Sequence, residues 1–158
     1  MKKVIIIIAA VFGFAVMASA QPKAIGGRLG YGLEASYQHY LGAPDFLEVN
    51  AGLDLYGGEA GFKATGTYNF MFAQPSWTPR GEWGWYAGPG VTLGSTYYND
   101  DHRFFFGVVG QVGLEYKFWF PLQLSADLRP TIGLCDGEFW TNGLWGGFIP
   151  TISVRYSF

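Results

Sequence analysis

The chain has 158 residues and a formal net charge of −2, and 19% of its residues are aromatic while only 14% are charged. This balance, with no basic patch, argues against a nucleic-acid partner, and the charged fraction lies well below the usual value of about 25% for soluble domains. The single cysteine, Cys135, excludes an internal disulfide, so stability must come from another source.

The first 20 residues have the three parts of a secretory signal peptide. Two lysines give a positive start, an apolar stretch follows over residues 4–16, and Ala18 and Ala20 form a small-residue cleavage site. The apolar stretch is too short for a spanning helix, which needs about 20 residues. We therefore expect cleavage after Ala20 and one domain over residues 21–158. Loss of the two lysines leaves 8 basic and 12 acidic residues, a net charge of −4.

The rest of the sequence alternates between apolar and polar residues, which is the period-2 pattern of β-strands. In chain order the alternating segments are 24–41, 46–56, 62–72, 85–93, 104–118, 122–134 and 144–158. The first segment fits either one long strand or two strands joined by a tight hairpin near Gly30 and Gly32. Pro89, Pro130 and Pro150 lie inside predicted strands. Because proline removes a ladder donor, we expect bulges or local breaks there.

The charged residues of the strands follow the polar face. We first assigned the apolar residues of each strand to one face. The charged residues then all lie on the opposite face: Arg28, Glu34, Glu48, Asp54, Lys63, Glu115, Lys117, Asp127, Arg129 and Arg155. Each would lie there about half of the time if charge ignored the two-fold strand period. The agreement predicts a sheet with one apolar and one charged face. Since both signs are present and unpaired buried charge is costly, a salt-bridged network is expected rather than a large pore.

Such alternation fits two kinds of barrel. In a soluble lipocalin-like barrel the apolar face points inward, whereas in an outer-membrane barrel it points outward to lipid and the charges face a small interior. Here the polar face is rich in Gly, Ser and Thr, as expected for the narrow interior of an eight-stranded barrel. Water-facing surfaces are usually richer in Lys and Glu. The sequence therefore favours the outer-membrane barrel.

Aromatic residues near the strand ends support the same choice, because amphipathic rings prefer the membrane–water boundary. One rim would hold Phe70, Phe72, Trp83, Trp85, Phe118, Trp119, Phe120, Tyr156 and Phe158, and the other Tyr97, Tyr98, Phe104, Trp140 and Trp145. The connections also differ. Segments 40–45 and 119–121 are short, while 95–103 and 136–143 are polar and are expected to be longer outer loops. Segment 73–82 is long where a short turn would be expected.

The mature chain resembles the small eight-stranded outer-membrane barrels of the OmpX and OmpA-transmembrane type. The resemblance lies in the signal peptide, the strands WYAGPGVTLG and FFFGVVGQVGLEYKF, and the terminal ISVRYSF. It implies an all-β, antiparallel up-and-down transmembrane barrel of eight strands in the outer membrane of a Gram-negative bacterium. It also implies a monomer in contact with lipid or lipopolysaccharide. In that family the barrel-assembly machinery recognises the last strand, so Tyr156 and Phe158 would be the recognition residues.

The sequence offers little chemistry. No G-x-S-x-G, P-loop or paired-cysteine motif is present, and we expect no cofactor, metal site or catalytic site. His39 lies near a strand end, and His102 lies in a polar segment with Asp100 and Asp101 that would bind a divalent ion weakly at best. Three hypotheses stay open: a small outer-membrane barrel with a structural or interaction role through its outer loops, a soluble periplasmic barrel that binds an apolar ligand, and an outer-membrane lipid-modifying enzyme.

Overall fold

The computed structural model describes residues 22–30, 32–42, 44–55, 61–98, 101–142 and 148–158. The predicted signal peptide, with Ala18 and Ala20, lies outside these ranges, and so does Trp145. Within them the chain forms ten strands and no helix. No helix long and apolar enough to cross a membrane occurs in the described ranges. The strands are β1 (Lys23–Leu29), β2 (Gly32–Tyr40), β3 (Phe46–Asp54), β4 (Gly61–Ala73), β5 (Glu82–Tyr98), β6 (Asp101–Lys117), β7 (Leu122–Leu128), β8 (Thr131–Cys135), β9 (Glu138–Thr141) and β10 (Thr151–Ser157).

The ten strands close into a barrel of eight. β1 pairs with β2 on one side and with β10 on the other, and all neighbouring strands are antiparallel. β7 and β8 both pair with β6 in a single register, with Val112 opposite Leu128 and Val109 opposite Thr131, so together they form the seventh barrel strand. β9 pairs with β8 and β10 pairs with β7, so these two supply the eighth. The predicted all-β, antiparallel up-and-down barrel of eight strands is confirmed.

Segment 24–41 forms two strands, β1 and β2, which resolves the alternative that the sequence left open. The strands are 7 and 9 residues long. Leu29 lies opposite Leu33, and the N–H of Gly30 donates to the carbonyl oxygen of Gly32 over 3.1 Å. The glycines near this turn mark the position at which the chain reverses.

The prolines interrupt the ladders without shifting them. Pro130 separates β7 from β8, yet its carbonyl oxygen accepts a hydrogen bond from the N–H of Gly110 over 3.0 Å and the register continues. Pro89 stays inside β5, opposite Gly110. Pro150 precedes β10. Local breaks are therefore found, but the expected bulges are not; the register irregularity of β4 lies at Met71–Ala73.

The barrel has two unlike ends. The lower end contains Lys23 and Phe158, and the upper end contains Gly30 and Asp136. β5 and β6 are 17 residues long, while β1 and β10 have 7 each. On the seventh barrel strand, β10 pairs only as far as Asp127, whereas β9 pairs from Ile132 upward. The wall at the upper end is therefore tall on the β5, β6, β8 and β9 side and low at the β1–β2 turn.

The two segments predicted as outer loops contain strand: β5 and β6 include residues 95–98 and 101–103 of the first, and β9 includes residues 138–141 of the second. Tyr98 lies opposite Asp101, so β5 and β6 continue as paired strands through most of segment 95–103. In segment 136–143, Asp136 and Gly137 form a two-residue turn with positive φ angles of 50° and 86°, and β9 follows directly. Asp-Gly is a favoured hairpin turn. This signal was present in the sequence.

The polarity of the barrel is reversed relative to a soluble protein. Leu29, Val49 and Ile152 are 62%, 53% and 58% exposed on the outer face, while Glu48 and Arg155 inside are 0% and 1% exposed. Because successive side chains of a strand point to opposite sides, one alternating sequence produces both faces. The interior is filled by polar, charged and a few aromatic side chains.

Candidate functional site

The lumen holds the charged residues that the sequence placed on the polar face. Five cations face five carboxylates, so the set has no net charge. The cations are Arg28, Lys63, Lys117, Arg129 and Arg155, and the carboxylates are Glu34, Glu48, Asp54, Glu115 and Asp127.

Glu48 is the centre of this network. Its Oε1 lies 3.0 Å from Nη2 of Arg155 and 3.7 Å from Nη1 of Arg28, and it is also in contact with Nη2 of Arg129. Gln38 and Asn50 donate hydrogen bonds to the same carboxylate over 2.9 and 3.0 Å. The carboxylate therefore joins three guanidinium groups from three barrel strands.

A second carboxylate, Asp127, binds two of these three arginines. Arg28 binds it with both terminal nitrogens, over 2.6 and 2.7 Å, in the bidentate geometry that makes arginine–carboxylate pairs strong. Nε of Arg129 lies 3.4 Å from the same carboxylate, and the hydroxyl of Tyr86 donates to it over 3.2 Å. Arg155 completes its own set by donating to Ser36 and Ser125 over 2.8 and 2.7 Å.

At the upper side of the network, Lys63 bridges two carboxylates. Its Nζ lies 3.1 Å from Oε1 of Glu34 and 3.3 Å from Oδ1 of Asp54. The Lys63 side chain is 25% exposed, more than any central arginine. These three groups therefore form the boundary between the closed lumen and the space above it.

At the lower side, Glu115 is held by neutral and cationic partners. Lys117 lies 3.2 Å from it, Gln123 donates to it over 2.8 Å, and the hydroxyl of Tyr40 donates over 3.2 Å. Nζ of Lys117 also lies 3.9 Å from the centre of the Tyr40 ring, a cation–π geometry. This group ties the lower ends of three barrel strands together.

An aromatic plug closes the lumen below the central network. It consists of Tyr40, Phe46 and Tyr86, which are 5%, 0% and 0% exposed, with Met71 packed against them. Ring centroids are 5.3 Å apart for Tyr40–Phe46 and 5.1 Å for Phe46–Tyr86. A Cβ at Gly113 would lie 2.5 Å from the Tyr86 ring. Gly113 therefore leaves the space in which this ring lies.

Sequence reasoning missed this plug. Phe46 and Tyr86 occupy inward positions of their strands, as the lumen charges do. From sequence we assigned the apolar and aromatic residues to the outer face, so aromatic rings were not expected at inward positions. The available signal was their alternation with outward residues, Phe46 being two positions before Glu48.

Above the network the lumen opens into a cleft at the upper end. Lys63, Glu34 and Asp54 line its lower part, and Phe105, Val109 and Trp140 line the tall wall. Trp140 points inward and its ring lies over Phe105, with centroids 5.2 Å apart and an interplanar angle of 31°. Its predicted place on the outer aromatic rim was wrong, because β9 pairs with β8 in a register that turns Trp140 into the barrel.

The lower end carries a band of outward aromatic rings. Trp83 lies 4.5 Å from Tyr116, centroid to centroid, and Tyr116 lies 4.5 Å from Phe118. Trp77, from the connection between β4 and β5, extends this group with a centroid 5.3 Å from Trp83. The guanidinium of Arg80 lies 5.9 Å from the Trp119 ring centre. The long lower connection thus adds the Trp77 ring to the rim instead of interrupting it.

The remaining candidate residues do not form a reactive group. His39 lies at the lower end, where its Nδ1 is 3.4 Å from the Tyr37 hydroxyl, and His102 lies on the upper part of β6. The two histidines are therefore at opposite ends of the barrel. Cys135 is buried at the end of β8. Within the described ranges, no group of three or more His, Cys, Asp or Glu side chains could hold a metal ion.

The last strand closes the ring. The N–H of Phe158 donates to the carbonyl oxygen of Lys23 over 2.8 Å, and the N–H of Lys23 donates back over 2.9 Å. Tyr156 and Phe158 are 56% and 60% exposed on the outer face, with ring centroids 6.2 Å apart. They lie side by side on the lower rim.

The fold is similar to a solved structure, the crystal structure of the N-terminal beta-barrel domain of Pseudomonas aeruginosa OprF. The match has a TM-score of 0.63 and 15% sequence identity, and it covers 87% of this chain and 96% of that chain. No protein-family model matches the sequence, and no curated protein matches it. At this level of identity, the similarity establishes the fold: an eight-stranded β-barrel.

Proposed function

We propose that the protein is a small integral outer-membrane β-barrel of a Gram-negative bacterium, with a structural or interaction role and no catalytic activity. The observation that carries the proposal is the reversed polarity of the barrel. Apolar side chains such as Leu33 and Phe106 are 56% and 52% exposed outside, while the buried interior is largely polar and charged. Hydrocarbon is the solvent that matches such an outer face.

Strand length supports the same proposal. At the usual tilt of about 40°, a nine-residue strand such as β2 rises about 20 Å and the 13-residue β4 rises about 30 Å. These heights bracket the apolar band of roughly 25 Å in outer-membrane barrels. The 17-residue strands β5 and β6 exceed it, so their upper parts project beyond the band. An interaction role through the outer connections would then include this paired ribbon.

The two other hypotheses have less support. A soluble barrel for an apolar ligand needs an apolar interior, but here the lumen is filled by paired charges that such a ligand would desolvate at a cost. A lipid-modifying enzyme needs a nucleophile and a base within hydrogen-bond reach. The two histidines lie at opposite ends of the barrel.

The protein is expected to conduct ions negligibly. The aromatic plug of Tyr40, Phe46 and Tyr86 and the network around Glu48 both fill the lumen, and Glu48 is fully buried. Planar-bilayer recordings of the purified protein should show no current steps of porin size. Steps of that size would contradict a filled lumen.

The partners follow from the same proposal. The protein would be a monomer whose outer face contacts membrane lipid and lipopolysaccharide. The barrel-assembly machinery would recognise Tyr156 and Phe158. Both rings are exposed on the outer face of the last strand. Replacing Phe158 by Ala should slow assembly in cells but leave refolding of the purified protein into detergent almost unchanged. Equal slowing of both would assign Phe158 to stability instead.

The decisive experiment compares folding with and without amphiphiles. The mature protein should give a β-type circular dichroism spectrum and heat-modifiable mobility on gels in detergent, and should aggregate in plain buffer. It should also remain in the sarkosyl-insoluble fraction of cell envelopes. A monomer that is fully folded in plain buffer would overturn the proposal.

A further inference from the structure

The cleft at the upper end combines an aromatic wall with a floor of paired charges, and we propose that it binds a saccharide ring. The enclosed part of the cleft has a volume of about 70 Å³. At about 10–15 Å³ for each water, this is space for roughly five water molecules, so the ligand would be a single small ring that extends into the open mouth of the cleft. The proposal depends on the upper lumen alone and does not require the protein to lie in a membrane.

One wall of the cleft presents aromatic surface. Trp140 is half-buried and lines the cleft beside Phe105, whose ring is itself 2% exposed. A Cβ at Gly94 would lie 2.6 Å from the Phe105 ring, so this glycine lets the ring lie close against the wall. The rings of Phe105 and Trp140 pack together, with centroids 5.2 Å apart. The negative face of an aromatic ring attracts polarised C–H groups, and one face of a sugar ring consists of such groups.

The opposite side of the cleft presents donors and acceptors whose charges are already balanced. Lys63 lies between Glu34 and Asp54, at 3.1 and 3.3 Å, and retains 25% exposure. The hydroxyls of Thr65 and Thr92, 2.9 Å apart, add neutral groups beside them. Hydrogen bonds to ionised groups are about twice as strong as those between neutral groups.

These two walls select a class of ligand. An apolar ligand would remove water from the paired charges without replacing their hydrogen bonds. An ionic ligand would compete with pairs that are already neutral and leave one buried charge without its partner. A neutral ring with many hydroxyls can pack one face on Trp140 while its hydroxyls replace water around Lys63. A saccharide fits both requirements.

The open side of the cleft admits two sources of such a ring. Among the described residues, the wall is lowest at Gly30, Gly32 and Thr151, all of which border the cleft. Directly below, on the outer face, Leu29 and Ile152 are 62% and 58% exposed. A free saccharide could enter from solution, or the sugar headgroup of a glycolipid could enter while its acyl chains lie along this outer face.

The test uses the mature protein in dimethylamine-oxide micelles, since alkyl-glycoside detergents would themselves present sugars. Saturation-transfer NMR with glucose, galactose, N-acetylglucosamine and maltose should show saturable binding of at least one probe, with a dissociation constant of about 1 mM. In a second arm, the protein in nanodiscs that contain lipopolysaccharide should retain it on purification, relative to phosphatidylcholine nanodiscs. Signal in the first arm identifies free sugar as sufficient, and signal in the second alone identifies the glycolipid.

Variants on one strand separate the site from the fold. Trp140→Ala should weaken binding roughly tenfold, whereas Phe139→Ala, at the adjacent outward position with 76% exposure, should not change it. Ile149→Trp, at the exposed rim of the cleft, should block binding without touching the interior. Heat-modifiable mobility checks that each variant is folded. Absence of saturable binding in both arms, or equal binding by Trp140→Ala and Phe139→Ala, would overturn the proposal.

Discussion

Replacement of Glu48 by Gln should destabilise the barrel by about 3–5 kcal/mol, the usual effect of removing one partner from a buried ion pair. Glu48 is fully buried, and its Oε1 lies 3.0 Å from Arg155 and 3.7 Å from Arg28 and is also in contact with Arg129. At an effective dielectric constant of about 20, one such pair has a gross attraction of roughly 5 kcal/mol. The cost of removing Glu48 and the three arginines from water offsets most of the summed attraction of the three pairs. In the variant, the guanidinium groups of Arg28, Arg129 and Arg155 are left with the carboxylates of Glu34 and Asp127.

Reversible urea unfolding in phosphatidylcholine vesicles, followed by tryptophan fluorescence, measures this loss. Glu138→Gln is the matched control, because it makes the same chemical change at an exposed position on β9. Such a surface substitution should stay within about 0.5 kcal/mol of wild type. Both variants should reach the folded state in detergent before they are compared.

An unfolding midpoint for Glu48→Gln equal to that of Glu138→Gln would refute the central role of Glu48. The double variant Glu48→Gln/Arg155→Met supplies a second check, since it removes one cation together with the carboxylate. Its loss should be smaller than the sum of the two single losses, because each single variant leaves a buried charge without its main partner. Simple additivity would mean that the two side chains do not interact.

Three further outcomes follow from the packing. Gly113→Ala should destabilise by about 1–3 kcal/mol because its Cβ would lie 2.5 Å from the Tyr86 ring, whereas Gly110→Ala on the same strand would meet its nearest atom at 3.9 Å and should be tolerated; urea midpoints decide this. In lipid vesicles, Val49→Arg at mid-strand should cost about 2–4 kcal/mol and Leu55→Arg, beyond the strand end, about 0–1 kcal/mol, and equal costs would contradict a lipid-facing band. Tyr86→Phe should cost about 1 kcal/mol by removing a hydroxyl that donates to a buried carboxylate, and an unchanged midpoint would show that this bond does not stabilise the plug.

Which side chains point into the barrel and which point outward could be predicted from sequence, because this depends only on the two-residue period of a strand. Glu48, Asp127 and Arg155 each lie between apolar neighbours in the chain, and each is buried inside the barrel. Strand ends were less predictable. The polar residues of segment 95–103 resemble a loop, but pairing between β5 and β6 extends the ladder through them. Cross-strand pairing thus overrides local polarity at the upper end.

The pairing inside the lumen could not be predicted from sequence alone. Arg28 and Asp127 are 99 positions apart in the chain and meet only because the barrel closes. Closure also decides which residues share a level of the lumen, since strand tilt brings distant positions to the same height. The cleft depends on the same information, because Trp140 turns inward only through the register of β9 on β8.

The balance of charge inside the barrel has an electrical consequence. A membrane potential acts on a group with about 2.3 kcal/mol per elementary charge for each 100 mV. The forces on the five cations and on the five carboxylates point in opposite directions and cancel over the set. For these ten described groups, moved together as a unit, an applied voltage would therefore do no net work.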